Sequence, residues 1–286
     1  VTMETVFTTL EHAIAMSETT GSSLDFPKDT LMNQKSNLEQ AIITVLEDSL
    51  MEKTKSGSSK LQQKNCEYHQ NFVHKILAKK DTIITFNYDC VIDLALKNYG
   101  SGKWNPKYGY CLPLGKTEDN LKGSKFWEPK KVAPKGETVK FFKLHGSLHF
   151  KIPEKRKPEK IALKERPYTK QNGVMDFEII PPEWNKKFDQ GFFKKLWTES
   201  AKMISQAKNV VMIGYSLPST DSHATALFST FIKENNLDSL VIVNPDKETR
   251  RRIRSLLHRG LKPETRVLSF DFFQDFLACE RSVWDI

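Results

Sequence analysis

The chain is poor in the residues that build covalent or metal cross-links. It has four cysteines in 286 residues, Cys66, Cys90, Cys111 and Cys279, and no two of them form a CxxC pair. That spacing offers no structural zinc module, so no metal is expected. Four scattered thiols in a chain of this size suggest a reducing compartment rather than a disulfide framework. No apolar run is long enough to cross a bilayer. No signal peptide is evident, so the sequence reads as cytoplasmic, without a membrane partner. There is no internal repeat.

What is present is material for a core. Hydrophobic residues make up 38% and aromatics 10%, which argues against a disordered chain. The length suits one large α/β domain or two small ones. The net charge of +9 is compatible with nucleic acid, an anionic cofactor or an acidic partner, and selects none of them.

Residues 1–80 read as a helical region. Met3, Val6, Phe7, Leu10 and Ile14 recur at helical spacing, as do Leu38, Ala41, Ile42, Val45, Leu46 and Leu50. Gly21-Ser22-Ser23 and Ser56-Gly57-Ser58-Ser59 read as connectors. The pattern changes at Thr82. Ile83 to Phe86 reads as a buried strand, followed by polar Asn87-Tyr88-Asp89 and a helix. Further strands are expected at Val139–Leu144, Val210–Ile213, Leu240–Val243 and Val267–Phe270. Helices are expected near Phe192–Ala207, His223–Asn236 and Lys247–Leu257. This alternation predicts an α/β fold with a doubly wound, Rossmann-like parallel sheet, whose ligands bind beyond the carboxyl ends of the strands. The core would comprise 81–150 and 191–286. The Lys- and Pro-rich stretch 151–190 reads as an inserted small subdomain or a solvated charged loop.

Each strand end carries a polar turn. Asn87 and Asp89 can fix a polar ligand, the amide as donor and acceptor and the carboxylate as acceptor; Asp89 could equally cap the following helix. His145 stands beside Gly146, which leaves room for close approach, and imidazole suits general-base work. The other histidines, His12, His69, His74, His149, His223 and His258, have weaker contexts. Gly214 and Ser216 suit a ribose or phosphate ahead of a helix N-terminus, with Asp221 either a contact or that helix's cap. Asn244 and Asp246 can reach ribose hydroxyls or form an ordinary turn. Arg250-Arg251-Arg252-Ile253-Arg254 lies on a helix whose core face is Ile253, Leu256 and Leu257. Its arginines read as a solvated face, a subunit contact or a nucleic-acid patch; no aromatic interleaving supports single-strand stacking.

The order of these motifs, TFNYD, KLHGSL, GYSLPSTD and VNPD, resembles the sirtuin superfamily, and more closely the sirtuin-like NAD-hydrolysing domains of bacterial defence proteins. Ile180-Pro181-Pro182-Glu183-Trp184 and Leu196-Trp197-Thr198-Glu199 resemble that branch as well. The resemblance spans roughly residues 80 to 250. It implies that Asn87 and His145 are catalytic and that Phe86, Asp89, Gly214, Ser216, Asp221 and Asn244 line NAD. Nicotinamide would leave through an oxocarbenium-like state and water would attack, giving ADP-ribose. The resemblance further implies a defence effector that depletes NAD, acting as a homo-oligomer or with a separate sensor or activator protein, through which a nucleic acid could be engaged. Two departures stand out. The four-cysteine zinc module of deacetylating sirtuins is missing, which favours plain hydrolysis. The family's opening strand and Gly-Ala-Gly-type phosphate loop do not appear before Asn87; either they lie upstream of Val1, the reading favoured by the missing initiator Met, or NAD binds poorly. Two other classes compete with the enzyme: a non-catalytic nucleotide sensor or assembly subunit, and a nucleic-acid-binding component.

Overall fold

A computed structural model of the chain describes residues 3–20, 27–53, 61–115, 123–153, 156–165, 178–180, 188–218 and 221–283. The two glycine–serine connectors and Pro181 to Trp184 lie outside these residues. The helical spacing near the amino end forms α1 (Met3–Thr20) and α2 (Lys28–Leu50). The two helices pack together, and Phe7, Leu31 and Ile43 are buried. A short antiparallel pair, β1 (Met51–Lys53) and β2 (Leu61–Gln63), follows. Then come α3 (Glu67–Asn71) and a π-helical turn, Phe72–Ile76.

The α/β part begins with β3 (Thr82–Thr85), α4 (Val91–Tyr99), α5 (Pro106–Gly109) and α6 (Gly123–Phe126). It continues through β4 (Lys140–Lys143), β5 (Gly146–Ser147), β6 (Phe150–Lys151), β7 (Ala162–Leu163) and β8 (Glu178–Ile179). The last part is α7 (Gly191–Gln206), β9 (Asn209–Ile213), α8 (Ser222–Phe231), β10 (Leu237–Val243), α9 (Lys247–Leu256), β11 (Leu261–Phe270) and α10 (Phe273–Ala278), closed by a 3₁₀ turn at Arg281–Val283. Local chemistry explains the helix starts. The Asp89 carboxylate accepts from the Val91 N–H at 2.9 Å. Asn105 accepts from Lys107 ahead of α5, with Pro106 in the first turn, where its missing N–H costs nothing. Asp246 accepts from the N–H groups of Glu248 and Thr249.

β10 shows how the sheet is covered. Leu240 and Ile242 pack into one apolar cluster, with Phe228, Ile232 and Ile253. Val241 and Val243 pack into another, with Ile76 and Phe276. Alternate side chains of a strand point to opposite faces, so both faces of this strand are buried. Each such side chain contributes roughly 1.5–3 kcal/mol.

The alternation of strand and helix leads one to expect a single doubly wound sheet. The chain instead forms two parallel sheets, β3–β4 and β9–β10–β11, and among the described residues no strand pairing joins them. β3 is in register with β4 from Thr82↔Lys140 to Thr85↔Lys143. β9 is in register with β10 from Asn209↔Ser239 to Ile213↔Val243. Among the described residues β3 and β9 each pair with a strand on one edge, and residues of both line a cavity of about 560 Å³. The basic stretch after β6 is tied back by two short antiparallel pairs, β5–β8 and β6–β7. Ile161, Ala162 and Leu163 are buried there.

Candidate functional site

The carboxyl ends of the parallel strands meet through aromatic side chains. Phe86, one residue past β3, stacks on Tyr215, two residues past β9, with ring centroids 4.8 Å apart. Phe86 also lies 5.2 Å from the His145 ring, which follows β4. The Tyr215 carbonyl accepts from the Asn244 amide at 3.3 Å, which brings in the end of β10. Four strand ends are thus linked in one chain of contacts. His145 is 6% exposed and also packs near Tyr88 and, parallel at 6.3 Å, Phe188. Phe188 contacts Trp197 and His223. The Trp197 indole donates to the Leu144 carbonyl at 3.1 Å, which pins the backbone just before His145. The His145 imidazole is thus packed among aromatic faces.

Beneath this layer is a buried polar network. Lys143 is paired with Asp93 at 2.8 Å, with both side chains at most 1% exposed. The Lys143 ammonium also donates to the Asp89 carbonyl. Tyr110 donates to the other Asp93 oxygen at 2.5 Å and lies 3.0 Å from His149 Nε2. His149 Nδ1 lies 2.7 Å from Ser147 Oγ and 3.2 Å from Cys90 Sγ. Ser147 in turn donates to the Tyr88 carbonyl. The network therefore holds the backbone of Tyr88 and Asp89, the loop that presents Asn87.

The charge states in the network follow from burial. Burial pushes the His149 pKa well below its ordinary value, with the nearby Lys143 charge acting in the same direction. His149 is therefore neutral and its 3.4 Å approach to Asp93 is not an ion pair. With the Tyr110 proton on Asp93, the consistent tautomer donates from Nε2 to the Tyr110 oxygen and accepts at Nδ1. Burial is the largest single effect on the Lys143 pKa and lowers it, but Asp93, by charge and hydrogen bond, together with Cys90 and Asp89 leaves it raised. Burial also drives the Cys90 thiol strongly upward, so it is a packed thiol and not a nucleophile.

The residues singled out in the sequence fall into distinct settings. Asn87 is exposed, and its backbone N–H bonds Thr85 Oγ1. Asn87 and Asp89 line a small cleft of about 80 Å³ together with His69. The Asp89 side chain takes the capping role. Gly214 has φ +64°, and a Cβ built there would meet nothing within 4 Å, so its backbone is open to an approaching group. Ser216 is exposed, and its carbonyl accepts from Arg252. Asp221 is 3% exposed and makes no side-chain cap bond to α8; it accepts from the Tyr215 hydroxyl at 2.9 Å. Asn244 accepts from the Asp246 N–H, closing its own turn, while its amide holds Tyr215.

Two readings change. The space at Gly146, φ +84°, is taken by the chain itself: a Cβ there would lie 2.1 Å from the Glu178 carbonyl oxygen. The glycine admits β8, not a ligand. The arginines of α9 are not uniformly a solvated face, because Arg250 donates to the Asn244 carbonyl and Arg252 to the Ser216 carbonyl. Sequence reasoning passed over Tyr215, His149 and His69. For His149 a signal existed: it stands two residues after Ser147, and the turn between β5 and β6 brings the two side chains within 2.7 Å.

Among the described residues, no group of three or more His, Cys, Asp or Glu side chains could hold a metal ion, and no helix is long and apolar enough to cross a membrane. All four cysteines are free thiols. Residues 81–263 match the family model of the SIR2-like domain. No curated protein and no solved structure matches the chain.

Proposed function

Because the chain belongs to the SIR2-like domain family, we propose that it binds NAD at its strand ends and hydrolyses it to ADP-ribose and nicotinamide. The observation that carries this reading is the linkage of Phe86, His145, Tyr215 and Asn244, from four strand ends, around an aromatic-walled imidazole. Carboxyl-terminal strand ends are where ligands of parallel α/β sheets sit. The aromatic faces of Phe86 and Tyr88 suit the flat nicotinamide. The bare backbone at Gly214 and the hydroxyl of Ser216 suit ribose and phosphate. Asn244 stands at the adenosine ribose, and Asp221 acts through Tyr215.

In the reaction the C–N bond from ribose to nicotinamide breaks and its electron pair leaves with nicotinamide. Water adds to the resulting oxocarbenium carbon and one proton is released. His145 takes that proton, directly or through a ribose hydroxyl, and Asn87 orients the water. General-base help of this kind is worth about 10²–10⁴ in rate. In the cell the product of this activity is loss of NAD, which suits a defence effector held in check until a sensor or activator protein, or self-assembly, releases it.

The test is direct. Protein incubated with NAD, alone and with candidate activators, releases nicotinamide and ADP-ribose in equal amounts. His145→Ala and Asn87→Ala lower turnover about 10²-fold or more while calorimetry still detects ADP-ribose. A second reading, binding without cleavage, draws support from Asn244 and Asp89, whose side chains are already engaged in their own turns. Wild-type protein that binds NAD in every assembly yet releases no nicotinamide would establish that reading instead.

A further inference from the structure

We propose that the site selects a dinucleotide phosphorylated on its adenosine ribose, NADP in preference to NAD, and that Arg252 is the residue that reads the added phosphate. This rests on the reading of the strand ends as a dinucleotide site, with the adenosine ribose where β9 and β10 stop, and it names the substrate class of that site.

Arg250, Arg251 and Arg252 follow one another on α9, just past the turn that ends β10. Consecutive residues of a helix point about 100° apart, so each has its own setting. Arg250 is mostly buried, is paired with Asp271 and donates to the Asn244 carbonyl. Arg251 is exposed and paired with Glu248. Arg252 reaches across to the end of β9. Its Nη2 donates to the Ser216 carbonyl at 3.1 Å and to the Thr249 hydroxyl at 2.8 Å. Both partners are neutral oxygens, and among the described residues no carboxylate pairs with this guanidinium. Both bonds leave from one nitrogen, so Nη1 and Nε keep their N–H groups for another partner. The residue is exposed. A guanidinium fork matches two phosphate oxygens with parallel hydrogen bonds. This fork is already fixed at one nitrogen, so little side-chain freedom is lost when a phosphate arrives.

The acid at the same place is engaged elsewhere. In dinucleotide sites at parallel strand ends, a carboxylate bonds the free 2′-hydroxyl of the adenosine ribose, whereas an arginine accommodates a 2′-phosphate. Asp246 is the carboxylate of the β10 turn. Its Oδ1 accepts from the Glu248 N–H at 3.2 Å, and its Oδ2 from the Thr249 N–H at 3.0 Å and the Thr249 hydroxyl at 2.6 Å. The Thr249 hydroxyl, followed by these two N–H groups, holds the Asp246 pKa below the ordinary carboxylate value and turns the group into the first turn of α9. Thr249 also separates Asp246 from Arg252, donating to one and accepting from the other. Asn244 is tied in the same way, its oxygen to the Asp246 N–H and its amide to the Tyr215 carbonyl. The exposed groups that remain at this strand end are the Ser216 hydroxyl and the Arg252 guanidinium. Both donate, and phosphate oxygens accept. A 2′-phosphate brings about −1.5 to −2 charge at pH 7, which an unmatched guanidinium favours and a bare hydroxyl does not use.

Titration calorimetry of the 286-residue protein with NADP and with NAD reads the preference as a ratio of dissociation constants, whether or not either ligand is cleaved. The net charge of +9 favours any more anionic ligand, so the same ratio is measured for Arg252→Ala, Arg252→Lys and Arg254→Ala. Arg254 is an exposed arginine of the same helix and controls for charge alone. The expected result is NADP bound about tenfold tighter or more by the parent protein. Arg252→Ala brings the ratio near one, and Arg252→Lys keeps part of it, because the ammonium retains the charge without the fork. Arg254→Ala keeps the parent ratio. The melting temperature of each variant checks that it is folded. NAD bound as tightly as NADP by the parent protein overturns the proposal and leaves the dinucleotide site standing. An unchanged ratio in Arg252→Ala also overturns it, and places Arg252 on the pyrophosphate that both ligands share. An equal loss in Arg254→Ala overturns it in favour of a general field. Failure of both dinucleotides to bind removes the dinucleotide site itself, and this preference with it.

Discussion

Replacing Asp93 tests the buried network most severely. The Lys143 ammonium is 1% exposed and has the Asp93 carboxylate and the Asp89 carbonyl as its partners. Asp93→Asn keeps an oxygen for the Tyr110 hydroxyl but leaves the ammonium uncompensated. Breaking a buried pair in this way costs about 3–5 kcal/mol. Asp93→Ala also strands the Tyr110 hydroxyl, which adds about 1–3 kcal/mol. Native stabilities are about 5–15 kcal/mol, so Asp93→Ala should lie near the limit of foldability. The decisive comparison is Asp93→Asn with Lys143→Met/Asp93→Asn. Removing the second charge removes the penalty of the first, so the double variant should be more stable than Asp93→Asn alone. Urea denaturation followed by tryptophan fluorescence measures each midpoint. The pair also has an alkaline signature. The Lys143 pKa is raised in the fold, so its contribution is full below the ordinary lysine value and fades as pH rises through the folded value. Wild-type protein should lose midpoint there, and the double variant should not. An Asp93→Asn cost under about 1 kcal/mol, or a double variant as unstable as the summed singles, would refute the reasoning.

Three other outcomes are expected. The His149 pKa is depressed from 6.5, so the unfolded chain binds a proton that the folded chain refuses. Stability then falls by up to about 1.4 kcal/mol per pH unit below 6.5, and melting curves of His149→Asn should show that slope flattened. Gly146→Ala combines φ +84° with a backbone clash against Glu178, and should lower stability by more than about 2 kcal/mol in thermal melts. Arg250→Glu loses the bond to the Asn244 carbonyl, worth about 1.5–3 kcal/mol, and should weaken NAD binding about tenfold by calorimetry. Arg251→Glu loses only an exposed pair with Glu248 and should leave binding within about twofold.

The strands that flank the candidate site were legible because each is a short apolar run that stops at a polar turn. The structure ends β3 at Thr85, β9 at Ile213 and β10 at Val243. Their sheet partners were not legible, because a strand's apolar pattern is the same whether its edge is paired or bare. Which strand edges stay unpaired among the described residues could therefore not be read from the apolar pattern. Gly146 was recognised as a place of close approach, but the approaching group comes from Glu178, thirty-two residues on, and local reading has no access to it. Asp221 stands at a helix start, where capping is the default; its bond to Tyr215 depends on a ring orientation that spacing cannot supply. The resemblance drew attention to His145 and away from His149, whose importance comes from neighbours on three separate elements.

The order in which the chain is synthesised meets an obstacle at Arg281. Its guanidinium grips Asp81 with two hydrogen bonds, at 2.6 and 3.0 Å, and a third reaches the Ile76 carbonyl at 2.8 Å. These residues mark the entry to β3, yet their clasp lies 200 positions further along. At roughly 5–20 residues per second, a ribosome delivers it about 10–40 s after Asp81 has emerged. For that interval the start of β3 has no such anchor. A nascent chain arrested before Arg281 should therefore be digested at the segment between Leu77 and Thr82 far faster than the released protein.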